Sequence, residues 1–473
     1  MKIYKITSAL VGICIVALPA LADAPATAKK PNVIFIMSDQ HSAHALGCYG
    51  NSEVSTPNLD KLASEGVRFE NAIVQTGQCV PNRFAIFTGR YPRTTGTYGN
   101  GNGQDPKEQT VADLFDQAGY VTATIGKHHM EMNSVNHDHG FKLVSNPVGN
   151  AKPHAPLPYA EVHPGRSEVG ESPLPNEKHT DGLVTSQAIQ FIEKNKDKPF
   201  VLWCSYLAPH TPITPSAPWS RQYDPKKLTL PPNHLFVDRQ MPGMSGLLSK
   251  SGKYSEDFYH NQTLAFYYGC VSQNDYNIGV LLAELDKLGL TDNTIIIYSA
   301  DHGEMMSEHG AWTKGETGYD ATIRVPMIIK YGKTFSGGKV VKDLVCSIDI
   351  LPTLLDVCGL NIPINIQGKS MVALMKDNSG WRQYAFSELG NSVDNTVIAV
   401  RSQAEKYVLF RKVGKPEYEQ FFDLKTDPWE TNNLVANVKY ETDLANLKSV
   451  LKDWEANTEV APPVKLSGKA VDE

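Results

Sequence analysis

The sequence predicts an α/β fold: one large, mostly parallel or mixed central sheet flanked by helices, followed by a smaller α+β subdomain. Two observations carry this. Short apolar runs rich in β-branched residues recur along the first two thirds of the chain, and helical patterns separate them. The pattern then changes near Gly368, where short strands follow one another and a helix ends the series.

The strand series starts at residues 32–38 (NVIFIMS), an unbroken apolar run of the kind buried on two faces. Residues 120–125, 200–206, 294–299 and 325–329 repeat it. The first helix starts at Thr56-Pro57, with proline at the first helical position, and Gly66 closes it. Further helices are expected over 110–118, 180–196, 263–288 and 347–357. Beyond Gly368, residues 397–401, 406–410 and 420–424 read as antiparallel strands and 440–455 as a helix. The expected division is 1–22 as a signal peptide, 31–367 as a catalytic domain and 368–473 as the α+β subdomain. Two loop-rich stretches, 145–179 and 212–253, have the length and composition of binding-site rims.

The signal-peptide reading rests on Lys2 and Lys5, the apolar run from Ser8 to Pro19, and the small-residue site Ala20-Leu21-Ala22. That run is shorter than the roughly 20 apolar residues a bilayer requires. No later stretch is long and apolar enough to span, so the expected location is periplasmic or secreted. Cleavage would take the formal net charge from −6 to −8, because the segment carries two lysines and no acid. An acidic chain argues against a nucleic-acid partner, although a local basic pocket for an anion remains compatible with it. The cysteines downstream of the signal segment show neither a zinc spacing nor a dense disulfide framework.

Polar residues cluster just after the expected strands: Asp39 and Gln40, Lys127 and His129, His210, then Asp301 and His302. Ligands of open parallel sheets bind beyond the carboxyl ends of the strands, so these groups are candidates for one pocket. Cys79 precedes Pro81 at an expected helix start, where free N–H groups favour an anion, and Arg83 lies one turn on.

Cys79-Val80-Pro81-Asn82-Arg83, with Thr88-Gly89-Arg90 behind it, resembles the maturation motif of the formylglycine-dependent (type I) sulfatases of the alkaline-phosphatase-like superfamily. The segments NVIFIMSDQ (32–40), GYVTATIGKHHM (119–130), Pro209-His210-Thr211-Pro212, SADHGEMMSEHGAWTK (299–314) and DLKTDPWETNNL (423–434) resemble further family segments in order and spacing. Departures are Gln40 in place of a second Asp, Asn82 in place of a small residue, and His128 where Trp is common.

The resemblance implies a sulfuric ester hydrolase whose nucleophile is Cys79 oxidised to formylglycine (3-oxoalanine) by a formylglycine-generating enzyme. It implies one divalent cation held by Asp39, Gln40, Cys79, Asp301 and His302, with Ca²⁺ favoured over Mg²⁺ by the mostly oxygen ligands. Arg83, Lys127 and Lys314 would face the hydrate and the sulfate oxygens. His129 would take the proton that expels sulfate. His210 is the candidate acid for the leaving alcohol, with Lys314 as the other contender. Secretion and polar rim loops suggest a sulfated carbohydrate; aryl or choline sulfate, and a phosphate or phosphonate ester on the same scaffold, are the alternatives. Trp219, Arg221 and Tyr223 are sugar-binding or packing residues, Glu304 and His309 either line the pocket or brace the Asp301 loop, and 137–139 reads as a loop rather than a metal box.

Overall fold

The computed structural model describes residues 29–130, 139–147, 169–250, 257–332, 334–335, 337–376 and 380–465. The expected signal peptide, His137 and Asp138 lie outside the described residues. Strands β1 (Asn32–Asp39), β2 (Val67–Ile73), β3 (Val121–Gly126), β4 (Leu143–Ser145), β5 (Phe200–Pro209), β6 (Thr294–Ala300), β7 (Arg324–Tyr331) and β8 (Lys339–Cys346) form an eight-stranded sheet in the order β4-β3-β5-β1-β6-β7-β2-β8. Every pairing is parallel except those of β7, which runs antiparallel to β6 and to β2.

β1 explains why an unbroken apolar run makes a central strand. Successive side chains of a strand point to opposite faces. Val33, Phe35 and Met37 enter one core with Phe84 and Phe87 of the helix Cys79–Thr88 and Leu351 and Leu354 of the helix Ile350–Val357. Ile34 and Ile36 enter a second core with Leu59 and Leu62 of Pro57–Glu65, Val184 and Ala188 of Thr180–Asn195, and Ile278 and Leu281 of Asp257–Lys287.

Strands β9 (Ala385–Ser392), β10 (Asn395–Arg401), β11 (Glu405–Arg411) and β12 (Tyr418–Asp423) form a separate antiparallel sheet in the order β12-β11-β10-β9. Alternation divides its side chains as well. Val397, Ala399, Val408 and Phe410 join the core of the large sheet, while Ile398, Val400, Leu409 and Phe421 lie under Leu447 and Leu451 of the helix Glu441–Asn457. A buried polar knot also links this sheet to the large one: Lys406 Nζ lies 2.9 Å from Asp320 Oδ1 and also contacts Glu430, whose Oε2 accepts from Asp320 N at 2.7 Å.

The start of the helix Pro57–Glu65 is secured from a distance. Thr56 makes no side-chain cap there. The free N–H groups go instead to Asp275: Oδ1 accepts from Leu59 N at 2.8 Å, and Oδ2 from Asn58 N at 3.1 Å and Asn58 Nδ2 at 2.8 Å. Burial pushes the Asp275 carboxyl up to about 6, and these hydrogen bonds offset only part of that effect. An unfolded aspartate releases its proton near ~3.9. The folded chain therefore binds more protons between the two values, and this contribution to stability is lost as pH rises through the folded value. Compared with Asp275→Asn, the wild type should lose on the order of 2–3 kcal/mol between about pH 4 and about pH 7 in urea unfolding. A pH-independent difference between the two proteins would contradict the assignment.

Candidate active site

The strands β3, β5, β1 and β6 are consecutive neighbours and run parallel, so their carboxyl ends share one edge. Asp39 and Gln40 leave β1 there, Lys127 and His129 follow β3, His210 follows β5, and Asp301 and His302 follow β6. Close backbone approach sharpens two of these exits. Gly126 has φ +98°, and a Cβ there would lie 1.9 Å from Ser205 O, the acceptor that Lys127 N reaches at 3.0 Å. A Cβ on Gly303, next to His302, would lie 2.0 Å from Ala321 O.

Cys79 opens the helix Cys79–Thr88 and is fully buried. Pro81 sits in the first turn. Gly89, at φ +66°, closes the helix by donating to Ala85 O at 2.8 Å. Val80 N donates to Asn100 Oδ1 at 3.1 Å, which satisfies one of the exposed N–H groups. Lys314 Nζ donates to Cys79 Sγ at 2.9 Å, and His302 Nε2 lies 3.2 Å from the same sulfur. Burial raises the thiol pKa, but Lys314, Lys127 and His302 outweigh it and hold the group well below its ordinary value.

Arg83 is the hub of the cluster. Its Nη2 donates to Asp39 Oδ2 at 2.9 Å, Nε to Asp301 Oδ2 at 2.8 Å, and Nη1 to Ser205 Oγ at 2.8 Å and to the Lys127 carbonyl. The side chain has no exposure. The sequence lists Arg83 with the groups that would face a substrate; the structure commits its guanidinium to the two carboxylates. Lys127 Nζ adds a second cation to Asp39 Oδ2 at 2.7 Å. Burial and Cys79 push the Asp39 carboxyl up, while Lys127, His210 and Arg83 pull it down further, and it stays well below the usual carboxylate range.

One ligand atom each from Asp39, Cys79, Asp301 and His302 lies within 4.8 Å of all the others, which makes the group a candidate metal centre. The supporting hydrogen bonds fit a cation. His302 Nδ1 donates to Gly303 O at 2.8 Å, which leaves Nε2, the atom facing Cys79, as the nitrogen that would ligate a cation after giving up its proton. Burial and Lys314 push the ring pKa down, but Asp301 and Cys79 outweigh them and hold it above its ordinary value. The Gln40 amide gives its NH₂ to Glu304 and turns Oε1 inward. Asp39, Asp301 and Gln40 thus present oxygens beside one imidazole nitrogen and the Cys79 side chain, and the oxygen majority suits Ca²⁺ or Mg²⁺.

Lys314 Nζ also lies 3.2 Å from His210 Nε2, and His210 Nδ1 bonds Thr211 O at 2.6 Å. His129 has φ +53° and lies among Cys79, Lys127 and Arg83. Burial lowers its pKa, and with Lys127 and Arg83 outweighs the opposing pull of Cys79, so the ring is biased toward its neutral form. A cavity of about 300 Å³ opens beside Lys314, lined by Gln78, Met241, Leu247, Glu316 and Thr317 among others. A larger hollow of about 680 Å³, lined by Lys61, Glu65, Asp292 and Lys330, holds none of these site residues.

Several side residues have structural partners. His309 stacks on Tyr319 with centroids 3.9 Å apart, and its Nδ1 bonds Phe236 O at 2.7 Å, so it braces the Asp301 loop. Tyr223 bonds Ser272 and Trp219 lies against Tyr276, which fasten one loop to the long helix, while Arg221 pairs with Glu171 of the neighbouring 169–172 segment. Sequence reasoning missed three supports. Asn82 donates to Asp301 O at 2.6 Å and accepts from Ser347 Oγ at 2.9 Å. Tyr267 donates to Gln40 O at 2.8 Å, and Asn274 to Ser38 Oγ at 2.8 Å. Tyr267 and Asn274 lie two helical turns apart on one face of Asp257–Lys287, a spacing visible in the sequence but common to solvated helix faces.

A parallel sheet edge holding a buried cysteine at a helix start, a candidate metal centre and three cations fits the alkaline-phosphatase-like class of hydrolases. Within it, the family model described as Sulfatase matches residues 31–360, and a model described as N-sulphoglucosamine sulphohydrolase, C-terminal, matches 307–457. An arylsulfatase of Clostridium perfringens is 30% identical over 471 residues, spanning 91% of this chain and 95% of that protein. An ulvan-active sulfatase of Formosa agariphila is 31% identical over 435 residues, 87% of this chain and 78% of that one. An N-acetylglucosamine-6-O-sulfatase of Bacteroides thetaiotaomicron is 28% identical, covering 90% and 86%. Among solved structures, a phosphonate monoester hydrolase from Silicibacter pomeroyi superposes with TM-score 0.80 at 25% identity, covering 90% of this chain and 96% of that one. The chain belongs to the sulfatase family and is a sulfuric ester hydrolase.

Arg83→Met would leave two buried carboxylates without their shared cation. The expected cost is about 3–5 kcal/mol in urea unfolding of chelator-treated protein, with part of it recovered on adding Ca²⁺. A loss below about 1 kcal/mol would mean that the pairs contribute little.

Proposed function

We propose that this protein removes sulfate from a sulfated carbohydrate outside the cytoplasm, using Cys79 oxidised to formylglycine and one divalent cation. The observation that carries this is the convergence of Cys79 with Asp39, Asp301 and His302 at the start of a helix and the ends of two strands. The cation, held by Asp39, Gln40, Asp301, His302 and the modified Cys79, would supply positive charge that acidifies a nucleophilic hydroxyl and polarises the sulfate. The oxidised side chain would supply two hydroxyls as its hydrate, one to attack sulfur and one whose proton leaves as sulfate is expelled. A formylglycine-generating enzyme is the partner that this modification requires.

The remaining roles belong to the chain as folded. Lys314 holds a positive charge against the nucleophile and against His210. Lys127 balances Asp39, and Arg83 bridges the two carboxylates. His129, biased toward the neutral imidazole, is ready to accept the proton that sulfate release sheds. With Nδ1–H committed to Thr211 O, His210 would act on the leaving alcohol through Nε2, and it can donate there only as the protonated imidazolium, with Lys314 as the other donor within reach. The cavity beside Lys314 has room for about one sugar ring; Glu316 and Gln78 offer groups for hydroxyls, and Met241 and Leu247 give an apolar wall. A sulfated sugar also agrees with the substrates named for two relatives, N-acetylglucosamine-6-O-sulfate and ulvan. We further assign 1–22 as a signal peptide, 31–367 as the catalytic domain and 368–473 as the C-terminal subdomain, which leads to a periplasmic or secreted enzyme. Among the described residues, no helix is long and apolar enough to cross a membrane.

The likeness to a phosphonate monoester hydrolase supports one rival reading. Parallel assays with aryl sulfate, aryl phosphonate and a panel of sulfated oligosaccharides distinguish the two. Sulfate release should dominate, stop on chelation and return with Ca²⁺ or Mg²⁺. Cys79→Ala should lower kcat on the order of 10⁴-fold or more. Dominant phosphonate hydrolysis would overturn the reading.

A further inference from the structure

Glu304 is a buried carboxylate that the mechanism above does not use, 1% exposed, with both oxygens hydrogen-bonded. Its Oε1 accepts from Met306 N at 3.2 Å and from Thr313 N, and its Oε2 accepts from Gln40 Nε2. Gln40 is equally buried. Its backbone is fixed at φ +61°, with N donating to Asp301 Oδ1 at 3.1 Å and O accepting from Tyr267. Only the side-chain amide has a choice of orientation, and Glu304 decides it. With the amide as it stands, NH₂ meets a carboxylate and Oε1 lies 3.5 Å from Lys314 Nζ. Turned over, a carbonyl oxygen would face the carboxylate and an NH₂ would face the ammonium, and each contact would be repulsive.

We propose that Glu304 is a positioning residue that holds the Gln40 carboxamide with its oxygen toward the cation and, through Thr313, fixes the chain that delivers Lys314 to Cys79. This rests on the metal-dependent reading given above. It also accounts for a glutamine at position 40. A carboxylate there would offer Glu304 no N–H donor, and two acceptor groups would face each other. One buried acid thereby sets a neutral oxygen ligand and a catalytic cation from two loops that meet only in the folded chain.

The separate contacts of the two Glu304 oxygens allow a reversed pair. In Glu304→Gln, Oε1 can keep both backbone N–H bonds while an NH₂ replaces Oε2. That NH₂ opposes the Gln40 NH₂ and forces the Gln40 amide to turn over. Combined with Gln40→Glu, the same NH₂ meets a carboxylate, and the contact is restored with donor and acceptor exchanged. Ca²⁺ binding to the wild type, both single variants and the double variant, measured by calorimetry, tests this, with thermal unfolding in chelator reporting that each folds. Glu304→Gln should weaken Ca²⁺ binding about 10- to 100-fold in the wild-type background, and strengthen it or leave it unchanged in the Gln40→Glu background. A double variant that folds where Glu304→Gln alone does not supports the same conclusion. Equal weakening in both backgrounds, or wild-type affinity in Glu304→Gln, would overturn the proposal. A wild type that binds neither Ca²⁺ nor Mg²⁺ would overturn the metal-dependent reading along with it.

Discussion

The structure of the site depends on Arg83, buried without exposure between Asp39 and Asp301. Two carboxylates at the ends of adjacent strands repel each other, and burying both without a shared cation is costly. The planar guanidinium gives Nη2 to one and Nε to the other, while Nη1 anchors it to β5 through Ser205. That arrangement joins the Cys79 helix to β1, β5 and β6. It also makes the position of Cys79 a consequence of charge balance as much as of packing. Lysine cannot reproduce it, because one ammonium lacks the divided geometry.

Outside this hub the cluster is held by hydrogen bonds that choose orientation. The Gly303 carbonyl selects the His302 tautomer, Thr211 does so for His210, Asn82 holds the Asp301 backbone, and Glu304 turns the Gln40 amide. The groups that would act on a substrate are consequently aimed before one arrives. Such preorganisation is what electrostatic stabilisation of developing charge requires.

Much of this was legible in the sequence, for physical reasons. β1, β3, β5 and β6 are buried on both faces, so their runs are mostly apolar and free of charge, and the polar residues that end them mark one edge. Cys79 was legible because Pro81 and Gly89 bound its helix. β2 and β8 were not, since Arg68, Glu70, Lys342 and Asp343 interrupt strands that are only partly covered. The reversed direction of β7 and the whole of β9 also escaped, because apolar pattern carries no strand direction and β9 holds Ser387, Glu388 and Gly390. Supports such as Gln40 with Glu304 could not be read, since 264 residues separate the two and either alone resembles a solvated side chain. The direction of the Arg83 side chain was hidden for a similar reason: spacing places it one turn from Cys79 but does not say which carboxylates it meets.

The account rests on the chemical state of Cys79, whose thiol is surrounded by Lys314, Lys127, His302 and His129. Peptide mass spectrometry of catalytically active protein purified from its native host tests that state most directly. The account predicts that the peptide spanning Cys79 carries an aldehyde in place of the thiol, in proportion to specific activity. Full activity in protein whose Cys79 remains an unmodified thiol would contradict it.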